Sequence, residues 1–318
     1  MTAGPEKSAA PGVAEPFGHG KVILLGEHAV VYDQPALAAG ISRGLAAAAV
    51  SGTGSLTIPA WQLAVNAHDV SSPVARAYAA ILTALGAADL DVSVKAELPA
   101  RAGLGSSAAF AISIARAVAR AGGGADDAAV MAAATEAEKV FHGTPSGIDL
   151  AAAASGAVGR FERATGWRPI PVLQPMSVCV GLSGRPRDTH AQVAAVRRLR
   201  ERTPGVRAVI ETMGALVTEG ERALGRGDID ELGRLFDVAH GLLAALRVST
   251  AELEALVHGA REAGAIGAKL TGAGGGGAVI ALAPGHERDV LRRWSEAGFQ
   301  GFIATIGGGA AMKELAAS

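Results

Sequence analysis

Strand-like and helix-like segments follow one another along this chain without the strict βαβ rhythm of a doubly wound parallel sheet. That irregular order constrains the fold most, and it favours α+β. The apolar run in Lys21 to Leu25 reads as a buried strand. After Gly26-Glu27-His28, the segments AVVY and PALAAGI read as extended or loop. Residues 44–58 hold strand-like patches broken by Gly52 and Gly54, Val74 to Leu85 has helical spacing, and Val92 to Ala96 alternates as a strand does. Ser106 to Ala121 is an Ala-rich helix with Ser at its start and three glycines at its end. Asp126 to Phe141 is a second helix, acidic at its start and basic at its end. A short helix follows from Ser146 to Ala154, then a hairpin around Thr165-Gly166. Beyond a candidate boundary at Gln174-Pro175 come a strand (177–182), helical patterns over 189–202, 204–224, 228–246 and 250–263, a strand (278–283), a helix (287–297) and a strand (301–306). No internal repeat at a fixed period interrupts this order.

The 318 residues suggest about two domains, read as 17–175 and 176–318 behind a disordered leader, 1–16, rich in Ala, Gly and Pro. That leader lacks the charged and apolar regions of a signal peptide. A formal net charge of -1 gives no electrostatic footprint for nucleic acid. No apolar run approaches the ~20 residues of a membrane span, so no membrane partner is expected. Cys179 is the single cysteine, which rules out an intrachain disulfide and fits a reducing compartment.

Three Gly-rich or small-residue segments recur at wide spacing, Gly18 to Gly26, Gly103 to Ser107 and Gly272 to Gly277. Arg101-Ala102-Gly103-Leu104-Gly105-Ser106-Ser107 opens the Ala-rich helix. Unpaired N–H groups and a positive dipole end there suit a phosphate, and the serine hydroxyls can cap the helix or ligate Mg²⁺. A plain Gly loop with a Ser N-cap explains the same letters equally well. Glu138 lies late in one helix and Asp149 early in the next, so the two carboxylates can converge as metal ligand and base. Ser146-x-x-Asp149 also matches a capping box, which would make Asp149 a mere cap. Gly272 to Gly277 fits G-x-G-x-x-G but runs into a strand rather than opening a helix, so it is no dinucleotide fingerprint. It reads as a loop that approaches a ligand, or as a bulged hairpin. Lys21, at the start of its strand, is placed to steady negative charge or to sit on the surface. The sequence has no G-x-x-x-x-G-K-[ST], H-E-x-x-H or G-x-S-x-G, which disfavours a P-loop NTPase, a zinc peptidase and an α/β-hydrolase.

In this order, GKVILLGEHAVVY, AGLGSSAA, HGTPSGIDLAA and KLTGAGGGG resemble the GHMP superfamily of small-molecule kinases, and within it the mevalonate kinase family. The resemblance spans residues 18–283. It implies a two-domain fold, with an N-terminal domain like ribosomal protein S5 domain 2 and a C-terminal ferredoxin-like α+β domain. It implies a cytoplasmic kinase that uses ATP with Mg²⁺ to phosphorylate the C5 hydroxyl of mevalonate, and homodimers are common among such kinases. By motif position, residues 101–107 would wrap the ATP phosphates, with Ser107 and Glu138 on Mg²⁺. Asp149 would accept the hydroxyl proton beside Lys21. Glu27, His28, Thr189, Thr271, Gly272, Ala273 and Gly274 would bind the substrate. Arg101 stands where the family often has a small residue. The adenine contacts are not assignable from the motifs. A kinase for phosphomevalonate, a sugar or homoserine, or a non-catalytic nucleotide-binding protein, remains open on these letters alone.

Overall fold

A computed structural model describes residues 16–100, 102–143 and 147–308. The strands and helices are β1 (Phe17–Leu25), β2 (Ala36–Ser51), β3 (Ser55–Ile58), β4 (Leu63–Asn66), α1 (Pro73–Ala84), β5 (Leu90–Ala96), α2 (Ser106–Ala121), α3 (Asp127–His142), α4 (Ile148–Ser155), β6 (Val158–Glu162), β7 (Gly166–Pro169), β8 (Met176–Leu182), α5 (Thr189–Arg202), α6 (Val206–Arg226), α7 (Ile229–Ala245), α8 (Ala251–Glu262), β9 (Gly267–Thr271), β10 (Ala278–Leu282), α9 (Glu287–Glu296) and β11 (Gln300–Ile306). Among the described residues the strands form one sheet, in the order β4-β3-β5-β2-β11-β8-β10-β9. β1 and β6 also pair with β2, and β7 pairs with β6. Only the β3–β5 pairing is parallel, and the α+β reading holds.

β2 is the hub of this sheet. β1 runs along its residues 37–46, β5 along 45–51 and β6 along 36–39. β11, last in the chain, pairs fully with β8 and joins β2 through Ile306 and Ile41. The sheet therefore runs unbroken across the expected boundary at 175.

α2 lies over β1 and β2 and is covered by α1, α3 and α4. Phe110, Ile112, Ile114 and Val118 on it are buried, each contributing about 1.5–3 kcal/mol through removal from water. Alanines and glycines let helix and strand approach closely. A Cβ on Gly18 would stand 2.1 Å from the Ala109 carbonyl oxygen. A second core gathers around β8, β9 and β10 under α8 and α9, where the Trp294 indole N–H donates to the Leu256 carbonyl at 2.7 Å. From the C-terminal half, α6 packs Val217 and Gly220 against the β1 and β2 region, close to Gly26, Leu25 and Leu37.

Two segments go beyond their sequence readings. AVVY, read as extended or loop, is a 3₁₀ turn, Ala29–Tyr32. Gly26 (φ 92°) and His28 (φ 59°) turn the backbone there, and the Val30 N–H donates to the Gly26 carbonyl. Local turn geometry overrides the extended preference of Val30 and Val31. Gly267–Thr271, to which the sequence patterns gave no element, is the buried strand β9. Lys269 sits in its middle with no exposed surface, a residue that sequence patterns normally assign to solvent. The leader over 1–15, Arg101 and Ser146 lie outside the described residues.

Candidate active site

The glycine loop before α2 is held from β1. The Lys21 backbone N–H donates to the Leu104 carbonyl at 2.8 Å and anchors the loop to the sheet. Gly105, not Ser106, is the N-cap of α2, at φ 71°. Its missing Cβ would otherwise press on the Lys21 Cγ at 2.8 Å. α1, α3, α5, α7 and α8 carry side-chain caps from Ser72, Asp126, Asp188, Asp228 and Thr250. α2 has none, so its first-turn N–H groups are left for an anion. Leu104 is buried and pins the loop, while Ala102, Gly103, Ser106 and Ser107 are partly exposed.

Glu138 and Asp149 are near enough for the charge of one to act on the other. Asp149 is the second residue of α4, whose N-cap is Gly147 with no side-chain cap. The Asp149 carboxylate turns to Lys21, with Nζ to Oδ1 at 3.1 Å, and the N-cap position is held by Gly147 in place of the serine that a capping box would use. The Lys21 side chain is 3% exposed and that of Asp149 35%, so a buried ammonium holds a partly exposed carboxylate. Glu138, near the end of α3, is buried, and its Oε1 has no hydrogen-bond partner among the described residues. Burial pushes its carboxyl up to about 7, with the Ser107 hydroxyl opposing that rise and the Asp149 charge adding to it. His142, one turn on, places Nε2 3.2 Å from the Ser107 hydroxyl and 3.9 Å from Glu138 Oε2.

The glycine run 272–277 is the loop between antiparallel β9 and β10, with Gly272 at φ 82° and Gly274 at φ 72°. It is bound to the first motif at two points. The Thr271 hydroxyl accepts from the Ile23 N–H at 2.8 Å and donates to the Ile23 carbonyl at 3.0 Å. The His28 Nε2–H donates to the Ala273 carbonyl at 2.9 Å. Burial lowers the pKa of His28, so the ring is neutral near pH 7 and Nδ1 is left as an acceptor. Glu27 was expected to line the pocket, yet it is 1% exposed and its Oε1 takes a hydrogen bond from the fully buried Lys269 ammonium. It enters the site as half of a buried ion pair.

Thr189 opens α5 with its side chain exposed, and it makes no side-chain hydrogen bond among the described residues. The motifs gave no role to Arg187, two residues before it. Its guanidinium lies against Gly103 and Gly272, which brings the glycine loop before α2 and the β9–β10 loop together. Nothing in the motif spacing singles out Arg187 from Arg185, which instead pairs with Glu252. Lys269 and His142 were given no role, although they are the first letters of KLTGAGGGG and HGTPSGIDLAA. Beside the phosphate loop, Trp61, Gln62, Glu97, Leu98, Pro99 and Ala100 line an open cleft of about 410 Å³. The Trp61 indole N–H donates to the Leu98 carbonyl at 2.8 Å and fixes its ring there.

A bare helix N-terminus, a carboxylate–ammonium pair and a second, electrostatically strained carboxylate together suit transfer of a phosphoryl group to a hydroxyl. That chemistry needs positioning and charge neutralisation more than covalent participation. Comparison with known proteins agrees. Residues 72–157 match the family described as GHMP kinases N terminal domain, and residues 221–300 match GHMP kinases C terminal. A mevalonate kinase from Pyrococcus horikoshii is 38% identical over 310 residues, covering 85% of this chain and 88% of its own. One from Thermococcus gammatolerans is 35% identical, covering 90% and 94%. The crystal structure of the L. major mevalonate kinase in complex with R-mevalonate superposes with a TM-score of 0.84 at 28% identity, over 97% of this chain and all of that one.

Proposed function

The chain belongs to the GHMP kinases and, within them, to the mevalonate kinase family, and from that membership we propose that it transfers the γ-phosphoryl group of ATP to the C5 hydroxyl of mevalonate, giving 5-phosphomevalonate and ADP. The observation that carries the reading is the Lys21–Asp149 pair at 3.1 Å, on the same strand residue whose backbone N–H anchors the phosphate loop. The ATP phosphates rest on the N–H groups of Gly103 to Ser107. The base and ribose extend toward the Trp61 cleft, whose wall includes Pro99 and Ala100, shortly before that loop in the chain. Asp149 orients the hydroxyl and takes its proton, a role worth about 10²–10⁴-fold. The Lys21 ammonium holds Asp149 and offsets charge on the attacking oxygen. His28 Nδ1, Thr271 to Gly274 and Thr189 bound the acceptor. Residues 17–175 carry the nucleotide and 176–318 close the site.

Mg²⁺ fits the residues present. The Ser107 hydroxyl, at the α2 entrance, acts on the Glu138 carboxyl, whose Oε1 has no partner among the described residues. Among the described residues no group of three or more His, Cys, Asp and Glu side chains could hold a metal unaided. When bound, the ion would neutralise charge on the β and γ phosphates. Among the described residues no helix is long and apolar enough to cross a membrane. Cytoplasmic location and a homodimer complete the proposal, to be checked by cell fractionation and light scattering.

The test is ADP release with ATP·Mg²⁺ and a panel of alcohols. Turnover with mevalonate well above that with phosphomevalonate, galactose and homoserine is expected. Preference for another of these alcohols would reassign the acceptor, and no ADP with any of them would remove the catalytic reading.

A further inference from the structure

Arg187 sits on the loop between β8 and α5, and that loop is tied down. The Gly277 N–H donates to the Arg185 carbonyl at 3.1 Å, and the Ser183 N–H donates to the Gly277 carbonyl at 2.9 Å. The guanidinium occupies space that two glycines leave open. A Cβ on Gly103 would stand 2.5 Å from its Cζ, and one on Gly272 would stand 2.1 Å from its Nη1. Both glycines have positive φ, so the two loops are shaped around this side chain. Its Nη1 is nonetheless buried without an acceptor among the described residues, a costly state for a charged donor. Asp149 is the acidic group whose field favours its charge, and His28 and His142 both feel that charge as a repulsion. A desolvated, unsatisfied cation thus lies between the phosphate loop, the proposed base and the acceptor side of the cleft.

We propose that Arg187 is a catalytic residue that donates through Nη1 to the γ-phosphoryl oxygens during transfer, an arginine contact supplied by the same chain that carries the phosphate loop. The inference rests on the kinase reading. As the C5 oxygen bonds to Pγ, the bond from Pγ to the β-phosphate oxygen breaks, the hydroxyl proton passes to Asp149 and ADP departs. Arg187 gives up no atom. A guanidinium presents two N–H groups in a fixed fork that matches phosphate oxygens, which a lysine ammonium cannot reproduce.

The experiment compares wild type with Arg187→Met and Arg187→Lys. It measures kcat, KM for both substrates, ADP affinity by calorimetry, and inhibition by ADP–aluminium fluoride with mevalonate present. Arg187→Met is expected to lose about 10²–10³-fold in kcat, with ADP affinity and both KM values within about threefold. Its preference for ADP–aluminium fluoride over ADP should collapse in step. Arg187→Lys should recover under a tenth of the lost rate, and it keeps the proposal testable if the Met variant does not fold. A raised KM for mevalonate at unchanged kcat would overturn the proposal in favour of a contact to the acceptor's carboxylate. Wild-type kcat in the Lys variant would overturn it as well. Wild-type turnover is the control. If it fails with mevalonate the acceptor reading falls, and the variants are then judged with whichever alcohol the protein phosphorylates.

Discussion

Replacing Glu138 with Gln should stabilise the ligand-free protein while disabling it, and the stabilisation should depend on pH. The Glu138 carboxyl is 3% exposed and its pKa stands at about 7 against an ordinary 4.5, chiefly because burial penalises the charge. A raised folded pKa means that the folded state holds the proton over a window where the unfolded state has lost it. No penalty exists below pH 4.5. The penalty grows through the window and is complete above about 7. The shift of about 2.5 units, at 1.36 kcal/mol each, amounts to about 3 kcal/mol. With roughly 2.1 cal/mol/K of unfolding entropy per residue, that is about 5 °C in Tm for a chain of this length. Differential scanning calorimetry of wild type and Glu138→Gln from pH 4.5 to 8 should therefore show a gap opening from near zero to about 5 °C in favour of the variant. Added Mg²⁺ and ATP should narrow the gap at pH 8, because a bound cation compensates the wild-type carboxylate and leaves the amide unaided. A gap that is constant with pH, or a variant less stable than wild type at pH 8, would refute the reasoning.

Asp149→Asn should lower kcat by about 10²–10⁴-fold and leave ATP binding within a few-fold, as measured by single-turnover assays beside calorimetry. Lys269→Met should cost about 3–5 kcal/mol in urea unfolding, because it strands Glu27 as an unpaired buried charge. Adding Glu27→Gln should return much of that loss, and equal stabilities for the single and double variants would reject the ion-pair account. Trp61→Ala should raise KM for ATP about tenfold, on the scale of an aromatic–base stacking loss, with KM for mevalonate unchanged.

The amino-acid sequence by itself determined the elements whose cues are local. α2 begins after Gly-x-Gly and stops at three glycines. The hairpin around Thr165-Gly166 and the order that excludes a doubly wound sheet follow from spacing and turn chemistry in the same way. The motif residues, read as letters in order, were enough to point to Lys21, Glu138 and Asp149. Tertiary structure decided what depends on partners far along the chain. Whether Asp149 caps a helix or meets an ammonium turned on Lys21, and whether Lys269 faces solvent or core turned on Glu27, 242 residues away. Arg187 looks like any other basic loop residue until Gly103 and Gly272 are folded around it. Backbone propensity acts over a few neighbouring residues, whereas burial and electrostatic fields belong to the assembled site, and these set the charge of Glu138 and the direction of Arg187.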